Sequence, residues 1–214
     1  RFHLTKILLI IGLGFSLLTG GYLFYLAKTT NVKDLQNALK ATTIIYDKNG
    51  DQAGSLTGQK GTYVELDAIS ENLQNAVVAT EDRSFYKNSG INYGRFFLAI
   101  LTLGRSGGGS TITQQLAKNA YLSQDQTVER KAKEFFLALE INKKYSKKEI
   151  LTMYLNNAYF GNGVWGIEDA SKKYFGVSAS QLSLDQSAVL AGMLKGPEIY
   201  NPLYSVENAT NRRN

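Results

Sequence analysis

The chain contains no cysteine, which excludes disulfide frameworks, thiolate zinc sites and cysteine nucleophiles. Its one histidine, His3, lies at the extreme N-terminus, so neither a His-based triad nor a multi-His metal site is available. Two prolines in 214 residues, with no repeat period, exclude collagen, Pro-rich linkers and solenoids. Hydrophobic residues make up 43%, too many for a disordered chain. Acid–base chemistry must therefore fall to carboxylates, lysines or tyrosines. Lys and Arg outnumber Asp and Glu by 24 to 18, a net charge of +6, which suits an anionic partner.

Residues 7–27, ILLIIGLGFSLLTGGYLFYLA, carry no charge. At ~1.5 Å per residue they cover a hydrocarbon core of ~30 Å, which predicts one transmembrane helix. The stretch exceeds the ~7–15 apolar residues of a signal peptide, and no A-x-A cleavage pattern follows it. Tyr22 and Tyr25 fit an interfacial belt at its far end. Basic residues flank both ends, so charge counting leaves orientation open. A short basic leader, 1–6, is expected to stay in the cytoplasm. The chain starts at Arg1 and stops in a polar stretch, and it is read as part of a longer protein.

Residues 28–60 are expected to form a linker and a β-hairpin region. The β-prone TTIIY (42–46) followed by DKNG (47–50) marks a hairpin near 42–64. From about Ser70 the pattern turns helical. Helices are expected at about 110–121, 127–144, 146–158, 164–175 and 183–194. Ser146 with Glu149, and Ser183 with Gln186, match capping boxes. Gly161, Gly176 and the pair Gly196–Pro197 supply stop signals. The fold class is mainly α with a small β element.

Five constellations could carry chemistry. Glu81 and Asp82 follow an apolar run and precede Phe85 and Tyr86; a carboxylate in such surroundings is tuned toward general acid or base work. The alternative is a solvated acidic helix end. The segment GGGSTITQQLAK (107–118) is a Gly-rich turn feeding a helix start, which presents N–H groups to an anion. Ser110 stands where a nucleotide P-loop needs Lys. On a helix, Thr111, Gln114, Gln115 and Lys118 share one polar face; an exposed, inert face is the alternative. Arg130, Lys131 and Glu134 form either a phosphate-holding cluster or an ordinary surface ion pair. Leu151, Tyr154 and Leu155 form a core stripe, while Asn156 and Asn157 could orient a backbone or a sugar. Finally, the apolar 96–103, flanked by Arg95 and Arg105, suits a lipid surface or a buried core helix.

No single constellation is specific, but their order is. Glu81-Asp82-x-x-Phe85, GGSTITQQLAKN, Arg130-Lys131-x-x-Glu134 and Lys147-x-x-Ile150-x-x-x-Tyr154-Leu155-Asn156 occur in sequence. Gly163-Val-Trp-Gly166 and Ala170-x-x-x-Tyr174-Phe175 complete the series. This resembles the five-motif signature of family 51 glycosyltransferases, the peptidoglycan glycosyltransferase domains of class A penicillin-binding proteins, over roughly 60–205. The likeness is strongest to streptococcus-like sequences.

The resemblance implies a lysozyme-like fold with head and jaw lobes at 61–205, after which 206–214 would begin a linker to a further domain. It implies lipid II and the nascent glycan strand as substrates, joined by an inverting β-1,4 transfer that releases undecaprenyl pyrophosphate. Glu81 matches the general base and Glu134 the second catalytic glutamate. Lys118, Arg130 and Lys131 match the pyrophosphate-holding residues. Asp82, Phe85, Ser110, Thr111, Gln114, Gln115, Tyr154 and Asn156 match the rest of the substrate cleft. The family is often helped by a divalent metal, magnesium or manganese, on the pyrophosphate, without an organic cofactor. The implied partners are membrane lipids and cell-wall synthesis proteins rather than nucleic acid. The implied location is a single-pass cell-membrane protein with its catalytic domain outside. Two departures stand out. Asn88 occupies the place of a usual His, and Ser84 stands where many relatives carry Arg. The runner-up is a membrane-anchored muramidase or lytic transglycosylase, which has no need of the cation cluster.

Overall fold

The computed structural model describes residues 42–57, 61–102, 109–122 and 127–214, with scattered positions between 6 and 35. The leader, most of the expected span 7–27, much of the linker and the glycine run at 104–108 lie outside the described residues. Among those described, no helix is long and apolar enough to cross a membrane.

Strands β1 (Thr42–Tyr46) and β2 (Gln52–Thr57) pair antiparallel, with Thr42 opposite Thr57 and a register shift between Ile45 and Tyr46. Asp47 closes the turn by accepting hydrogen bonds from the Asn49 and Asp51 amides at 2.8 and 2.9 Å. A 3₁₀ turn, Leu66–Ala68, leads into the helices. These are α1 (Glu71–Glu81), α2 (Tyr93–Leu101), α3 (Ile112–Tyr121), α4 (Val128–Lys144), α5 (Lys147–Asn157) and α6 (Ile167–Phe175). A second 3₁₀ turn, Ala179–Gln181, precedes α7 (Leu184–Met193) and α8 (Val206–Arg213).

Helix α5 is the spindle. Residues 150–156 are all buried, as expected of a helix walled on every side. It packs on α3, α4 and α6, while α1 packs on α7. Leu73 and Val77 of α1, Ile112 and Leu116 of α3, Ile141 of α4 and Leu190 of α7 complete one core with it. Asn156 is wholly buried. Its side chain bonds the Val64 amide and carbonyl, both at 2.8 Å, and so straps the extended segment before the first 3₁₀ turn onto α5.

Helix ends follow side-chain chemistry. Both expected capping boxes form, at Ser146–Glu149 and Ser183–Gln186. Two others form at Thr111–Gln114 and Ser178–Gln181. The helix expected at 164–175 begins only at Ile167. Gly166 stands at φ 78°, and a bridge between Tyr159 and Trp165 holds the preceding residues in a turn. Within the expected linker start at 206–214, residues 206–213 form helix α8. Ser205 caps it, Ala209 is buried, and the Arg212 guanidinium donates to the Gly192 carbonyl at 3.4 Å. A single small buried side chain in a polar stretch leaves no hydrophobic period to read.

Glu168 ties α6 to the second 3₁₀ turn. It accepts from the Ala179 amide at 2.8 Å and pairs with Lys172 at 2.9 Å. Burial disfavours its charge, but the amide and the ammonium outweigh burial and hold its carboxyl below the ordinary 4.5. A carboxyl lowered on folding stabilises the fold above its unfolded pKa and loses that contribution as pH falls through the folded value. Urea unfolding of wild type and Glu168→Gln should therefore differ most at neutral pH and converge in acid below 4.5. A gap that is constant with pH would contradict this.

Candidate active site

Helix α1 ends at Glu81, half-buried, and Asp82 is its C-cap. The two neighbouring acids have opposite surroundings. Asp82 is 1% exposed. Its Oδ1 accepts from the Ser84 amide (3.2 Å) and hydroxyl (2.9 Å); its Oδ2 accepts from the Asn88 amide group (2.9 Å) and the Ile112 N–H (3.3 Å). Four donors satisfy a buried carboxylate, and one of them is the first N–H of α3. Asp82 is thus a joint between the end of α1 and the start of α3.

Glu81 meets one neutral donor, the Gln115 side-chain amide, at 2.7 Å on Oε2. Among the described residues its other oxygen accepts no hydrogen bond and no cation pairs with it. The Tyr154 hydroxyl donates to the Gln115 carbonyl oxygen at 3.0 Å. An amide whose oxygen is held this way must turn its NH₂ toward Glu81. Tyr154 is buried, and burial together with the nearby Glu81 charge pushes its hydroxyl well above its usual range. It therefore stays a donor. Gln115 comes from α3 and Tyr154 from α5, so the carboxylate is held from two helices other than its own.

The second carboxylate is handled differently again. Glu134 on α4 is 2% exposed. Arg130 Nη1 donates to its Oε2 at 2.7 Å, and Lys131 Nζ contacts its Oε1. The same ammonium donates to the Ser110 hydroxyl at 2.8 Å, just before the cap of α3. Lys118 lies one turn beyond Gln115 on α3, half-buried, and makes no ion pair among the described residues. The packed pair α3 and α4 thus carries three cations and one locked carboxylate. Such a concentration is suited to an anion carrying more than one charge.

Several of the expected site residues are buried. Phe85 is wholly buried against Tyr86. Thr111 and Gln114 are buried in the α3 cap, where the Thr111 hydroxyl donates to the Gly90 carbonyl at 2.6 Å. Asn156 is the strap described above, and Tyr154 reaches Glu81 only through Gln115. Ser84 and Asn88, both departures from the family pattern, hold Asp82; residue type alone carried no signal of that role. A groove of about 630 Å³, lined by residues including Gly61, Trp165, Asp169 and Lys173, contains none of the residues at Glu81 or Glu134. The candidate site is therefore drawn from the surroundings of Glu81 and Glu134 rather than from the groove. Among the described residues no three acidic or histidine side chains converge on a metal position. The carboxylates of Asp82 and Glu134 are already taken by donors, so a dedicated metal cage does not fit here.

The family profile described as Transglycosylase matches residues 49–214. The chain belongs to the transglycosylase family, the family 51 glycosyltransferase domain of class A penicillin-binding proteins. The transglycosylase domain is 80% identical to penicillin-binding protein 2a of Streptococcus pneumoniae over 213 residues, covering 100% of this chain and 29% of that protein. It is 46% identical to penicillin-binding protein 1A of Aquifex aeolicus over 174 residues, 79% of this chain and 24% of that one. A crystal structure of penicillin-binding protein 1A from Haemophilus influenzae overlaps 82% of this chain and 17% of that one, at 23% identity and a TM-score of 0.40. The chain thus spans under a third of the curated relatives it matches.

In the transglycosylase domain, Tyr154→Phe keeps the packing and removes only the hydroxyl that orients Gln115. Glycosyl transfer should slow about tenfold, as expected when a reacting group loses its fixed orientation, while stability falls by only about 1 kcal/mol. Transfer kinetics and chemical denaturation check this; an unchanged rate would contradict it.

Proposed function

We propose that this domain polymerises lipid II into β-1,4-linked glycan strands, with Glu81 as the base and Lys118, Arg130 and Lys131 as the diphosphate clamp. The observation that carries this reading is the unequal treatment of the two carboxylates. Glu81 has a neutral donor on one oxygen and an uncommitted second oxygen. Glu134 is locked between Arg130 and Lys131. Carboxylates with contrasting environments are how one site separates two roles.

The reaction follows. Glu81 takes the proton of the acceptor sugar's 4-hydroxyl. That oxygen forms a bond to C1 of the donor sugar as the C1–O bond to the lipid diphosphate breaks, with inversion. The electron pair leaves with the diphosphate, whose growing charge needs cations that do not lose protons; Arg and Lys supply them. Glu134 fixes the two α4 cations in direction and limits their net charge. A divalent ion, magnesium or manganese, would arrive with the diphosphate rather than on a protein cage. The finer fold reading is lysozyme-like, with the polymerising domain held outside a cell membrane by the apolar 7–27 segment. It would work there with the growing strand, surrounding lipids and other cell-wall synthesis proteins. The hydrolytic alternative is disfavoured because water attack on a glycan leaves no diphosphate for three cations to hold.

Incubating the detergent-solubilised chain with labelled lipid II and resolving products on a gel tests the reading. Glu81→Gln should lose transfer by about 10²–10⁴-fold, the usual contribution of a positioned base. Lys118→Ala should lose at least about 10²-fold by removing leaving-group stabilisation. Normal polymer from Glu81→Gln, or cleavage of finished glycan by the unsubstituted chain, would overturn the assignment.

A further inference from the structure

Lys147 opens α5 and belongs to none of the clusters above. Its ammonium forms no ion pair among the described residues. It sits 4.8 Å from the centre of the Phe85 ring and donates to the Asn88 side-chain carbonyl at 3.1 Å. Burial pushes its proton affinity down, and the Asp82 charge pushes back. A partly buried cation held by an amide and an aromatic face, rather than by a carboxylate, invites a specific explanation.

Asn88 links that cation to the carboxylate next to Glu81. Its NH₂ bonds Asp82 at 2.9 Å, while its oxygen accepts both Lys147 and the Gly90 amide, the latter at 2.9 Å. From Asn88 two routes reach the start of α3. One runs through Asp82 to the Ile112 N–H at 3.3 Å; the other runs through Gly90, whose carbonyl accepts the Thr111 hydroxyl at 2.6 Å. Helix α3 carries Gln115, which bonds Glu81. Glu81 is thus approached from its own chain neighbour and from α3, and both approaches begin at one amide. The Lys147 ammonium, with the Gly90 N–H and the Asp82 carboxylate, holds the amide against the flipped orientation, in which NH₂ would face two donors and the oxygen a carboxylate. Gly90 completes the joint: at φ 93°, a Cβ there would stand 2.6 Å from the Ala138 carbonyl of α4.

We infer that Lys147 is a positioning residue for glycosyl transfer, acting through Asn88 and Asp82 to hold Glu81 and Gln115 in register. The inference rests on the proposed role of Glu81 and adds a residue that does not touch the substrate. Its reach comes from position: one ammonium braces an amide that the Gly90 N–H and the Asp82 carboxylate already orient, and that amide links two helix ends.

The test uses Lys147→Met, which keeps the aliphatic stem over Phe85 and removes the charge, and Lys147→Arg, which retains a cation. Polymerisation of labelled lipid II is measured with amide hydrogen exchange on the same samples. Lys147→Met should lower kcat about tenfold or more and leave KM within about twofold, the pattern of a displaced reacting group. Exchange at the Ile112 and Gly90 amides should speed up by about tenfold. Lys147→Arg should stay within about threefold of wild type. Lys147→Met combined with Asn88→Ala should be no slower than Asn88→Ala alone, because residues acting in series do not add. Unchanged kcat, losses that multiply in the double variant, or exchange confined to the α5 N-terminus would overturn the inference. If Lys147→Met does not fold, Asn88→Ser must reproduce the kcat loss and faster exchange at Ile112; otherwise the inference fails. No polymer from the unsubstituted chain would defeat the polymerase reading instead, and exchange at Ile112 and Gly90 would still decide the Lys147 linkage.

Discussion

The buried carboxylate of Asp82 is the joint on which the candidate site turns. A charge at 1% exposure is tolerable only when its lone pairs are filled. The four donors that fill them come from the 84–88 turn and from the first amide of α3. Removing any donor would leave part of a buried charge unpaired, so the groups settle in one arrangement. That arrangement sets where α1 ends and where α3 begins. It therefore sets the distance between Glu81, which precedes the joint, and Gln115, which follows it by one helical turn.

The site then divides its acids by what surrounds them. Asp82 is saturated by neutral donors and is structural. Glu134 is saturated by cations and anchors the basic cluster. Among the described residues, Glu81 keeps an oxygen without a donor, and it is held by an amide whose orientation the Tyr154 hydroxyl decides. All three are carboxylates on or beside helices. Their chemical difference comes from whether the neighbouring donor is an amide, a guanidinium or an ammonium, and from how many there are. The cations differ in the same way: Arg130 and Lys131 are oriented by Glu134, whereas Lys118 makes no ion pair among the described residues.

Much of the helical order was legible in the chain. The five helices expected between 110 and 194 are present, with starts one to three residues later and C-terminal ends within one residue, because capping residues such as Ser146 and Ser183 act locally. Misjudged boundaries have particular causes. Residues 164–166 stay out of α6 because Tyr159 and Trp165 bridge across a turn, a contact between residues too close to show a period. Helix α8 leaves no hydrophobic period in the sequence, because Ala209 alone among its polar neighbours is buried. Within the site, residue types identified the carboxylates and cations but not their exposure. Phe85, Thr111, Gln114 and Asn156 share motifs with Glu81, Gln115 and Lys118, and they pack in the core, a cap and a strap.

The order of the motifs, the helix starts and the absence of thiol or histidine chemistry were settled by residue identity, since each depends on local geometry or on composition. Which of two adjacent acids is filled by donors was settled only when α1, α3 and α5 packed together. Exposure and charge pairing depend on groups far apart in the chain: Asp82 and Ile112 are 30 residues apart and Tyr154 and Gln115 are 39. No local pattern encodes a partner that arrives only through the fold.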